Sequence, residues 1–204
     1  MDKLQECAKA FERLLDKKYR IVIGRKGKSV ELEICFDAAD FHHLLGLHKL
    51  EDIEVFSGKR AKVFRDILSG HILFSAMQKS QYFNKIENRI EPFSALETLL
   101  DDNRLIFRYN KKLNSFSLIT AEYLLSTPYQ AVDVYIFLDR KSEGEQFFCR
   151  SFFPKENTDY TVGQAAYTLL YKEKITLSTG ETEIQYDRLS PLPKSRELHG
   201  IHRP

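Results

Sequence analysis

The sequence contains no tryptophan, two methionines and three cysteines among 204 residues. Cys7, Cys35 and Cys149 are far apart and odd in number, which argues against a disulfide framework. No CxxC pair or Cys/His pairing suggests zinc, and nothing in the chain calls for a cofactor. No apolar run approaches the roughly 20 residues needed to span a bilayer. The start, MDKLQECAKAF, is charged from its second residue and lacks the apolar stretch of a secretion signal. These absences predict a soluble protein of the reducing cytoplasm. Charge of one sign is also scarce. Thirty-one Lys and Arg against 29 Asp and Glu leave a net +2, too little to prove a nucleic-acid partner by itself. An enzyme that grips a few phosphates locally does not need more.

What the chain does hold is aromatic mass, 15 Phe and ten Tyr, suited to a β-rich core. Residues 3–17 place Leu4, Cys7, Ala8, Phe11, Leu14 and Leu15 at helical spacing. In YRIVIGRKGKSVELEICF, Val30, Leu32, Ile34 and Phe36 alternate with polar neighbours, so 19–36 predicts a hairpin turning at 24–27. Asp40 is the expected N-cap of a short helix, FHHLLGL, ended by Gly46. Helices are expected over 59–69, 71–80 and 86–100, with a kink or start at Pro92. From Arg104 the period changes to two. RLIFRYN, SFSLITAEYLL, AVDVYIFLDRK and EQFFCRSFF predict strands, with turns at 110–115, 126–129 and 141–144. Two more strands fall near 166–176 and 182–187.

Helices and strands segregate along the chain, which predicts an α+β fold, an antiparallel sheet packed against N-terminal and central helices. Residues 1–190 are expected to form one domain, followed by a flexible basic tail over 191–204.

Three local patterns mislead. GRKGKS resembles the end of a P-loop, but the required earlier glycine is Val22 and the segment leads into a strand. No GxSxG elbow supports serine hydrolysis. His42, His43 and His48 lack the spacing that stacks two imidazoles on one helical face, so a zincin-type metal site is not expected.

The most unusual stretch is Asp40–Ile53, where three histidines and Lys49 sit among leucines. Histidine exchanges protons near neutral pH, and lysine neutralises developing phosphate charge. The same residues admit a plainer account in which His42 is solvated, His43 caps a turn and His48 completes an apolar face.

The pattern FHHLLGLHKLEDI resembles the F-x-H-L-x-G-L-H-K-L-x-D-I signature of a phage-associated family in the barnase–EndoU–colicin–RelE-like nuclease superfamily. YFNKIENRIEPF with LIFRYN, the AEYLL and VYIFL strands, Arg150–Phe153, Asp159-Tyr160-Thr161, Gln164 and YTLLYKEKI resemble the same family in order, covering roughly residues 20–175. The resemblance implies a sheet with helices on one side. It also implies cleavage of RNA, with translation-related RNA such as tRNA as target, in toxins or phage–host conflict. An immunity or antitoxin protein is then an expected partner.

Metal-free RNA cleavage uses the ribose 2′-hydroxyl as nucleophile and needs a base, an acid and cations around the phosphorus. His48 is the first candidate for acid/base work, with Lys49 as phosphate ligand and His43 second. Strict alternation puts Ser151 on one face of its strand with Phe147, Cys149 and Phe153, and Arg150 on the other. Both can meet phosphate only if that strand bulges. Tyr160, Thr161 and Gln164 are candidates from the next loop, with Thr161 alternatively a cap. Arg108 is either a contact to the RNA backbone or one half of a surface ion pair.

Overall fold

The computed structural model describes residues 2–141 and 145–190. The expected turn at Ser142-Glu143-Gly144 and the tail 191–204 lie outside them. Helix α1 (Lys3–Leu14) starts at Asp2, whose carboxylate accepts from the Leu4 and Gln5 amides. The same carboxylate accepts from the Phe74 amide, tying this helix to the start of α4 (Phe74–Gln78). Strands β1 (Lys17–Arg25) and β2 (Lys28–Cys35) form the expected hairpin. Its two-residue turn is Lys26-Gly27, both at positive φ, so the GRKGKS segment is a hairpin tip.

Helix α2 (Ala38–Leu44) is capped one turn earlier than expected. Asp37 is the N-cap, accepting from the Ala39 amide at 2.9 Å, and Asp40 accepts from the Asp37 amide at 3.0 Å. Asp40 thus closes a capping box from inside the helix. Helices α3 (Arg60–Leu68), α5 (Glu87–Phe93) and α6 (Leu96–Asp102) follow, the last two splitting the stretch expected as one helix.

The remaining strands are β3 (Leu105–Arg108), β4 (Tyr123–Tyr129), β5 (Val132–Arg140), β6 (Phe147–Pro154), β7 (Ala165–Thr176) and β8 (Thr182–Asp187). The sheet runs β1-β2-β6-β5-β4-β3-β7-β8, and β7 also pairs with β1. Seven strands therefore curl into a closed ring, with β8 appended along β7. The fold class is α+β, as the segregation of elements predicts. Among the described residues all strand pairs but one are antiparallel. The exception is the β2–β6 seam, parallel and registered at Ile34 and Phe147, so the sheet is mixed.

One apolar cluster joins the helices to a face of this curled sheet. At its centre the rings of Phe11, Phe41, Phe64 and Phe93 pack with centroids 5.0–6.1 Å apart, and Phe93 meets Phe152 of β6 at 5.4 Å. Such pairings add about 0.5–1.5 kcal/mol each beyond their area. The opposite face of β3–β6 carries a second cluster of Tyr109, Leu124, Tyr135 and Phe137, with Phe153 and Tyr160 against it. Among the described residues, no helix is long and apolar enough to cross a membrane.

Candidate active site

The histidine segment is shaped by its leucines and one glycine. Leu44, Leu45, Leu47 and Leu50 are fully buried and anchor the chain from below. Helix α2 stops because Gly46 takes φ +86°, the left-handed conformation that favours glycine. The chain reverses there into a single 3₁₀ turn, Leu47–Lys49. That reversal lays the His48 ring on His43, with centroids 4.3 Å apart and planes within 14°. The spacing argument against stacked imidazoles holds for a continuous helix and fails here because the helix ends between the two residues. Face-to-face rings send their nitrogens outward in parallel planes, so the pair does not aim at a common ion. Among the described residues no group of three or more His, Cys, Asp or Glu side chains is arranged to hold a metal.

His42 has a separate, structural place. It is buried, and its Nε2 lies 2.8 Å from the Phe56 carbonyl oxygen, which can only accept. Nε2–H is therefore the donor.

Facing the stacked pair is a cleft of about 560 Å³. His43, His48, Lys49, Lys85, Arg89 and Arg150 supply its polar side, with Asn88, Ser151 and Glu156. Arg150 and Ser151 both line it because β6 bulges. Phe137 of β5 pairs with Ser151, the next residue Leu138 pairs with Cys149, and Arg150 is the extra residue between them. Beyond the bulge the alternation is out of step: Phe147, Cys149 and Phe152 face the helices, and Phe153 turns to the cleft. The strict face assignment expected for Ser151 is corrected by that one residue.

Electrostatics in the cleft are set by burial among cations. Burial pushes the His43 imidazole down to about 4, helped by Arg150. His48 keeps an edge in solvent, yet loss of water on its other side and the nearby His43 and Lys49 push it to about 4 as well. Burial, with Arg89 beside it, lowers the Lys49 ammonium to about 8. At neutral pH the rings are thus neutral and Lys49 is mostly charged.

Arg89 was not singled out by sequence reasoning. It is 6% exposed, donates from Nη1 to the Leu44 carbonyl at 3.2 Å, and lies 5.5 Å from the Phe153 ring centre. Burial pushes it down to about 10, and its Nε finds no acceptor. Lys85, Asn88 and Glu156 were missed too. Asn88 donates to Glu156, bringing α5 and the segment after β6 together across the cleft.

The cleft gathers His43, His48, Lys49, Arg150, Ser151 and Tyr160 from the expected set. Thr161, Gln164 and Arg108 do not line it. The Thr161 hydroxyl donates to Asp159 at 2.6 Å, and Asp159 also accepts from Lys155 and Tyr135. Those donors hold the Asp159 carboxyl well below its ordinary range. Gln164 accepts from the Asn110 amide at 2.7 Å and donates to its carbonyl at 3.3 Å, pinning the start of β7 to the end of β3. Arg108 pairs with Glu122 at 2.6 Å, as does Arg140 at 3.0 Å, an exposed cluster worth little in stability.

A curled α+β sheet bearing a cleft lined by histidine, lysine and arginine is the anatomy of a nuclease-like protein. A family model described as phage-Barnase-EndoU-ColicinE5/D-RelE like nuclease4 matches residues 3–189, and the chain belongs to that family. The family makes nucleic acid the implied substrate class. No curated protein and no solved structure was found to match the chain.

Proposed function

We propose that the protein is an endoribonuclease that cuts RNA by attack of the ribose 2′-hydroxyl, without a metal ion. The observation that carries this reading is the meeting of stacked His43 and His48 with Lys49, Arg89 and Arg150 in one cleft. In this scheme neutral His48 takes the 2′-hydroxyl proton as that oxygen attacks phosphorus. Arg89 and Arg150 bind the phosphate oxygens, and an anion there satisfies the buried Arg89 Nε. The Lys49 ammonium gives its proton to the departing 5′-oxygen. The products are a 2′,3′-cyclic phosphate and a 5′-hydroxyl. The incoming phosphate also offsets the cations that hold the His48 ring down, raising its basicity in the complex. His43 acts as a positioning residue by fixing the plane of His48.

By the family's character we place this activity in the cytoplasm, against translation-related RNA such as tRNA, in toxin or phage-conflict use. An immunity protein is the expected partner. The three unpaired cysteines suit a reducing compartment. His48→Ala should abolish cleavage of RNA with the fold intact. Wild-type activity should persist in EDTA and disappear when the cut site carries deoxyribose. Cleavage by the His48→Ala protein would overturn the assignment.

A second reading, a non-catalytic RNA- or protein-binding module on a nuclease scaffold, is favoured by one observation. Both rings sit near 4, far from the neutrality where imidazole shuttles protons best. It predicts tight binding of a partner with total RNA left uncut.

A further inference from the structure

The cleft has a second wall that the cutting scheme does not use. It is formed by the segment between β3 and β4, which contributes Phe116, Ser117, Leu118, Ile119 and Thr120. Phe116 is 65% exposed and Leu118 93%, an unusual cost for a loop beside a charged cleft. The segment is nonetheless held in shape. The Ser117 amide donates to the Asn114 carbonyl at 2.8 Å, and the Ile119 amide donates to the Ser117 hydroxyl at 3.2 Å. Phe116 stands 6.1 Å from the ring of Tyr160, and Tyr160 rests on Phe153 at 5.5 Å. Across the same cleft are Lys49, Arg89 and Arg150.

We propose that this wall is a base platform and that the substrate is an unpaired stretch of nucleic acid, one base lying against Phe116 and Tyr160 while its neighbouring phosphate meets the cations. The proposal rests on the nuclease reading and narrows it. Aromatic faces beside a cationic track are how single strands are held without base-edge readout. In a duplex the base faces are already stacked on each other and cannot reach such a wall. A protein partner would cover the apolar wall, but the continuity of that wall with the arginines in one cleft favours a ligand carrying both flat rings and negative charge.

The test is fluorescence anisotropy with the full chain and three probes. These are a short oligodeoxythymidylate, which lacks the 2′-hydroxyl and so is not cut, its abasic counterpart, and the matching duplex. The single strand should bind roughly 10-fold more tightly than the abasic chain, the value of one stacked base. Phe116→Ser, a change at an exposed position, should erase that ratio and leave abasic binding as it was. Lys49→Met should instead weaken all probes and flatten the salt dependence. Equal binding of base-bearing and abasic strands, or of duplex and single strand, would overturn the platform and leave the nuclease reading standing. Absence of binding by any probe to folded protein would overturn both.

Discussion

Replacing Gly46 by alanine tests how the histidine pair is built. The residue has φ +86°, and a Cβ there would lie 2.7 Å from Cγ2 of fully buried Ile86. A left-handed alanine costs about 1–2 kcal/mol. Moving Ile86 off its rotamer adds about 0.5–1.5 kcal/mol. The alanine chain has less entropy to lose on folding, which offsets about 0.4–1 kcal/mol. The net destabilisation is about 2 kcal/mol, or a Tm lower by roughly 4–8 °C for a chain of this size. Gly27→Ala is the control. It has φ +75° but open space around the added carbon, so it should lose only about 1 kcal/mol. Thermal unfolding followed by circular dichroism reads both, and RNA cleavage should fall in Gly46→Ala alone, because only that turn carries His48 back onto His43. If Gly46→Ala proves no less stable than Gly27→Ala and cuts normally, the turn at Gly46 is not what assembles the pair.

Three further outcomes follow from the cleft. In the free protein kcat/KM should rise as pH passes about 4, where His48 becomes neutral, and fall above about 8, where Lys49 loses its proton. Lys49→Arg should remove the alkaline fall, and an unchanged limb would exclude Lys49 as its source. Because His43 and His48 titrate lower in the folded chain than the usual 6.5, the unfolded chain takes protons first. Stability is therefore complete above about 6.5 and declines toward 4; His43→Asn with His48→Asn should flatten that decline in urea melts. Arg89→Met removes a buried charge with an unfilled donor, so stability should hold or rise by about 1–2 kcal/mol while cleavage drops about 10²-fold. Marked destabilisation on a melting curve would show that the Leu44 contact outweighs the cost of burying the charge.

Much of the scaffold could be read from periodicity. Leu4, Cys7, Phe11 and Leu14 announce α1, and Leu32 and Ile34 announce β2, because each pattern matches the period of a half-buried element. SFSLIT misled for the same reason. Phe116 and Leu118 alternate with serines as in a strand, yet β4 begins only at Tyr123, where its pairing starts with β3 (over 123–126) and with β5 (over 123–129). The turn expected at 126–129 is strand, and the chain reverses at Gln130, whose φ is +50°. His48 and Lys49 stood out because charged and titratable side chains among leucines are rare. Arg89 did not, because an arginine within a charged helical stretch ordinarily faces water, and only the packing of α5 on β6 and the end of α2 buries it. The bulge in β6 leaves no mark in composition, since any residue can be the extra one.

That bulge means the cleft depends on how many residues β6 contains as well as on which they are. Deleting Arg150 would take away one guanidinium and join Cys149 directly to Ser151, so the strand would run regularly opposite Leu138 and Phe137. Phe152 would stay in the helical core and Phe153 under Tyr160. A point substitution at the same position keeps the extra residue and the local twist it adds. Among variants of this fold, comparing the two thus separates loss of the charge from loss of the bend that aims it.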